Sequence, residues 1–163
     1  MTRTDPIRPT DDEARALARG LLAAARFGAL GVIDPATGAP AVSRIAVGTT
    51  PQGAPMSLVS TLSGHTRALR ANPACSLLVG EPGPKGDPLT HPRLSLHATA
   101  RFVGREAPEH AGLRAHYLES HPKASLYIDF ADFGFVVFDL RGASLNGGFG
   151  KAYELTPADL LPA

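Results

Sequence analysis

At 163 residues, with 44% hydrophobic residues and a formal net charge of +1, the chain has the bulk of one globular domain. Its 16 basic and 15 acidic residues are spread without blocks, which excludes the basic stripe of a nucleic-acid binder. There is no apolar run near the roughly 20 residues of a membrane span and no signal-peptide core, and Cys75 has no partner for a disulfide; a cytoplasmic protein is expected.

From the N-terminus, Thr10-Asp11-Asp12-Glu13 has the form of a capping box, with Thr10 bonding a free N–H and Glu13 reaching back. The helix this predicts, about 11–26, sets Ala14, Leu17, Ala18, Leu21, Leu22 and Ala25 along one stripe. Strands follow at 27–33, 41–49 and 56–62, divided by the turn sequences DPATGAP and PQGAP. A short helix over about 65–71 stops before Pro73, and 74–80 is the fourth strand. Residues 80–92, with four prolines and three glycines, are expected to lack regular structure. The next strand, 93–104, alternates Leu94, Leu96 and Ala98 on one face with Arg93, Ser95, His97 and Thr99 on the other. Pro108 opens a helix to about Ser120, residues 121–133 form a compact aromatic segment, and 134–145 is the last substantial strand. Six strands, mostly joined by tight turns, predict a mainly β antiparallel barrel with flanking helices. One domain over 1–163 is expected, with the barrel at about 27–150 and a short tail.

The sixteen residues LVSTLSGHTRALRANP, 58–73, concentrate the chemistry. They read as a buried strand, a polar loop and a helix start. Such a start leaves backbone N–H groups free and carries about half a positive charge, so it favours an anion. Arg67 is the wrong sign for that first turn, and a bound phosphate would remove the conflict.

The order of SRIAV (43–47), the segment from Leu58 to Val79, GDPLTHPRLSLHATA (86–100), HPKASLYIDFADF (121–133) and LNGGFGKA (145–152) resembles a known family. It is similar to the FMN-binding split barrel of the pyridoxamine 5'-phosphate oxidase superfamily, in particular the branch grouped with haem-utilisation proteins. The resemblance implies a six-stranded antiparallel split barrel and a homodimer with FMN in the groove between subunits. It also implies a small-molecule substrate. Position by position, it implies that Ser43, Arg44 and Ile45 approach the flavin ring or ribityl chain and that Ser60 and Thr61 line the ring. His65, Thr66 and Arg67 would then hold the phosphate. Ala68 stands where the oxidase has a second basic residue. Many haem-utilisation relatives carry a further C-terminal domain, and a short form without it is expected here.

Three functions follow as expectations. The first is an FMN-dependent oxidoreductase, in which the flavin supplies the redox chemistry. The second is a haem-binding or haem-degrading protein on the same barrel, which needs an axial ligand, usually histidine. None lies beyond His121, which leaves His65, His91 and His97. The third is a non-catalytic flavin-binding scaffold or sensor. No resident metal site is expected, because His110, His116 and His121 lack helical ligand spacing. Cys75 reads as a buried, inert thiol, and Phe149 or Lys151 in the glycine-rich stretch lies within reach of a ligand. No residue stands out as a catalytic acid or base.

Overall fold

The computed structural model describes residues 5–163, so residues 1–4 of the expected domain lie outside the described residues. The helix α1 (Asp12–Ala24) begins on a different cap from the one its sequence suggests. Asp11 is the N-cap, its Oδ1 accepting from the Ala14 N–H at 2.8 Å. Thr10 turns away and donates its hydroxyl to the carbonyl of Glu154, 2.8 Å off. The hydroxyl thus donates to a tertiary carbonyl instead of accepting a local N–H.

Six strands of six or more residues follow the alternation in the sequence: β2 (Phe27–Ile33), β3 (Pro40–Ala46), β5 (Pro55–Ser60), β6 (Ala74–Val79), β7 (Arg93–Val103) and β8 (Phe133–Asn146). Three short strands join them: β1 (Ile7–Arg8) and β9 (Ala152–Leu155), outside the expected strands, and β4 (Gly48–Thr49), the far end of the expected strand 41–49. The expected six-stranded barrel is therefore corrected to a nine-stranded open sheet, ordered β1-β9-β8-β7-β6-β2-β3, with β5 on β8 and β4 on β5. Every pairing is antiparallel except β1 with β9. The predicted strand 41–49 is split at Val47, whose N–H donates to the Arg26 carbonyl instead of a sheet ladder. Gly48 follows because the Tyr117 ring lies so close that a Cβ there would sit 3.1 Å from Cδ2. β3 and β5 thus meet through a backbone step rather than a shared ladder.

The long strands feed two cores, since successive side chains leave opposite faces. Val136 and Phe138 of β8 join Leu30, Leu77, Leu96 and Val59 inside the sheet, closed at one end by Ala14, Ala18 and Leu22 of α1. Phe135 and Val137 join Met56, Leu58 and Ile128 beneath α3 (His110–Ser120), whose Leu113 and Tyr117 complete that cluster. His121 stacks on Tyr117 with ring centroids 4.4 Å apart, and its Nε2 donates to the Arg26 carbonyl.

The region expected to be irregular contains one 3₁₀ turn, Pro88–Thr90, capped by Asp87. A second, Pro122–Leu126, opens the aromatic segment. The tail is ordered too. β9 hairpins back onto β8, and α4 (Pro157–Leu160) sends Asp159 to Arg15 of α1, with 2.7 Å between carboxylate oxygen and Nε. The Arg15 guanidinium and the Thr156 N–H hold the Asp159 carboxyl at a pKa of about 2. That tie is fully made above the ordinary carboxylate range and is lost as pH falls through the lowered value. Among the described residues no helix is long and apolar enough to cross a membrane.

Candidate functional site

The helix α2 (Gly64–Ala71) connects β5 to β6 and carries the cluster that the sequence singles out. Its N-cap, Ser63, makes no side-chain cap hydrogen bond. Leu69, 1% exposed, anchors it in the barrel core. The eight residues give just over two turns, so neighbouring positions point about 100° apart. His65, Thr66 and Arg67 consequently do not form one cluster.

His65 and Arg67 face β3 and the turn after β2. With Ser43 they line a cavity of about 440 Å³, whose other walls are mainly apolar: Val32, Pro35, Ala36, Ala41, Val42 and Ala68. Ser43 Oγ lies 3.2 Å from His65 Nδ1. The other ring nitrogen, Nε2, makes no hydrogen bond among the described residues. Burial lowers the His65 pKa below its ordinary value, so the imidazole is neutral at pH 7. Asp34 also lines the cavity, but its carboxylate accepts the Ala36 N–H at 2.8 Å and closes its own turn. Arg67 sits at the exposed rim in no ion pair among the described residues, with one long 3.5 Å bond to the Leu62 carbonyl. Its guanidinium fork is open to a carboxylate or phosphate.

Thr66 points to the other side of α2. It is 1% exposed, and its Oγ1 has no hydrogen-bond partner among the described residues. With Thr61, Arg70, Phe102 and Arg105 it lines a second cavity of about 240 Å³. Arg70 covers the Phe102 ring at 4.1 Å, and Arg105 donates to the carbonyl of Phe130. The remaining predicted residues are dispersed. Arg44 lies on the outer sheet face, over the Phe27 ring, in a third cavity that also includes His91 and Arg93. Ile45 is 5% exposed and packs in the barrel core. Ser60 donates to Asp132 Oδ2 at 2.8 Å and accepts the Leu62 N–H, bracing the loop ahead of α2. Phe149 is 95% exposed in the β8–β9 turn, where the Gly147 N–H donates to the Lys151 carbonyl.

Two features of the main cavity lay outside the sequence reading. The wall built by Val32, Pro35 and Ala36 comes from the end of β2 and the turn after it, about 30 residues away in sequence. The antiparallel pairing of β2 with β6, the strand that α2 leads into, brings it to the helix. The available Nε2 of His65 is equally a product of tertiary placement.

The family model for the CREG beta-barrel matches residues 9–161. The chain belongs to this family. It is 35% identical over 118 residues, 71% of its length, to the chloroplastic heme oxygenase HOZ of Arabidopsis thaliana, and spans 34% of that protein. A solved heme binding protein from Mycobacterium smegmatis is 29% identical and superposes with a TM-score of 0.83, covering 95% of this chain and 61% of that one. A pyridoxinephosphate oxidase family protein from Clostridium acetobutylicum, 14% identical, gives a TM-score of 0.68 over 93% of this chain and 99% of its own. That last likeness concerns the fold alone, and it supports a split-barrel architecture.

Proposed function

We propose that this protein binds haem in the cavity between α2, β3 and the turn after β2, and that its function is haem binding or haem breakdown. The flavin oxidoreductase expected first from the sequence takes second place. The observation that carries the reading is the 35% identity to HOZ, joined by 29% identity to the mycobacterial heme binding protein. The donor set is compatible with haem. A neutral imidazole, six apolar or small wall residues and a rim arginine suit a flat apolar ring edged with carboxylates. The cavity volume, about 440 Å³, falls in the range of ligand sites. Cys75 is a poor alternative donor, because burial pushes its thiol up to about 11.

When bound, the haem iron supplies the redox or oxygen chemistry. The chain's own work is to bind and orient. Val32, Ala41 and Ala68 would shield the bound ring from water, and Arg67 would pair with a carboxylate at the rim. We infer further that two copies pair through the outer face of β2, β3 and β6. Phe27, Val42 and Leu78 are exposed there, and Val42 also walls the cavity.

Haemin titration followed in the Soret region tests the proposal. Saturable one-to-one binding is expected. Arg67→Ala removes one charged hydrogen bond, worth about 1.5–3 kcal/mol, and should weaken binding roughly 10- to 150-fold. Binding of FMN with none of haemin would overturn the haem reading. It would favour the flavin instead, its phosphate paired with Arg67 at the start of α2.

A further inference from the structure

We propose that His65 is the side chain that ligates the haem iron, through Nε2, and that Ser43 is the residue that positions it. This rests on the haem reading above. An iron ligand needs an imidazole nitrogen with an unshared pair, an approach for the porphyrin, and an orienting partner on the other nitrogen. The six histidines separate on those grounds.

His91 has both nitrogens engaged, Nδ1 with the Gly83 N–H at 3.2 Å and Nε2 with the Lys85 carbonyl at 2.7 Å. His121 is tied likewise to Ser120 and the Arg26 carbonyl, with its ring face covered by Tyr117. His97 lies between Ser76 and Ser144, both nitrogens in contact at 3.3 and 3.4 Å. His116 leans on Glu119 in a small polar cavity beside Arg26 and Ser120, a setting hostile to an apolar ring. His110 packs against Phe135 at 5.4 Å, away from the apolar cavity. His65 alone combines an available Nε2, a hydroxyl on Nδ1 and an apolar cavity in front of it.

The proton arrangement is consistent with this role. With the proton on Nδ1 donated to Ser43 Oγ, the Nε2 pair is directed away from that bond. Ser43 stands on β3, whose seven residues pair with β2 along their whole length, so the orienting group is fixed to a rigid element. His65 is on the helix opposite. The axial bond would therefore span the same gap that forms the cavity.

The test uses the full chain loaded with haemin, read by resonance Raman of the ferrous form and by the Soret band. Wild type should show an iron–imidazole stretch. His65→Ala should lose it, and added imidazole should restore it, while His97→Ala and His116→Ala should keep it. Ser43→Ala retains the ligand but lacks its Nδ1 partner, so the stretch should move to lower frequency. Circular dichroism of each variant separates ligand loss from unfolding. If His65→Ala is folded and keeps the stretch, the assignment is wrong while haem binding stands. An unshifted stretch in Ser43→Ala overturns the positioning role. If wild type takes up no haemin, the functional reading itself fails, and the ligand assignment with it.

Discussion

The two sides of α2 differ in kind although consecutive residues build them. Towards β3, the helix offers a neutral imidazole and a rim arginine to an apolar-walled cavity of about 440 Å³. Towards β7 and β8 it offers a buried hydroxyl without a partner among the described residues and Arg70, already resting on the Phe102 ring, while Arg105 from the turn after β7 is tied to a carbonyl. The difference shows that a contiguous motif on a helix is not a contiguous site. Rotation by about 100° per residue takes Thr66 away from the cavity that His65 and Arg67 share.

The most disruptive test removes the side chain that seats α2 in the core. Leu69→Ala should cost about 2–5 kcal/mol, measured by urea unfolding, and should weaken haemin binding by loosening α2. A stable variant with intact binding would mean that the cavities do not depend on the helix seat. Next comes Thr66→Val, which keeps the shape and deletes the stranded hydroxyl. It should raise stability by about 1 kcal/mol and leave haemin affinity unchanged. Lower stability would show that the hydroxyl has a partner after all. The smallest effect belongs to Arg70→Ala. Losing its contact with Phe102 should cost about 0.5–1 kcal/mol, again with no change in haemin titration. A haemin effect as large as that of Arg67→Ala would erase the distinction between the two sides.

Much of the fold is legible in the residues themselves. The period-2 run from Arg93 to Val103 declares β7, and the glycine and proline clusters mark most turns near their true places. What escapes is set by distant partners. β9, four residues long, exists because it lies beside β8, and the two-residue β1 because it lies beside β9; neither has a pattern long enough to detect. The cap of α1 shifts from Thr10 to Asp11, with the Thr10 hydroxyl donating to the distant Glu154 carbonyl instead of accepting a local N–H. In the site, the chemistry of His65 and Arg67 could be read from residue type, and the strand pairing that faces them with Val32 and Ala36 could not.

β8 carries a burden of its own. Its fourteen residues are the common border of β5, β7 and β9, so three strands depend on one late stretch of chain. A ribosome that has translated through residue 130 has made β5 without its long neighbour and β7 with only half its ladder. Until β8 emerges, the edges of β5 and β7 lie unpaired and their leucines uncovered, the state in which chaperones and aggregation compete for a nascent protein. Slowing translation ahead of residue 133 would lengthen that exposure.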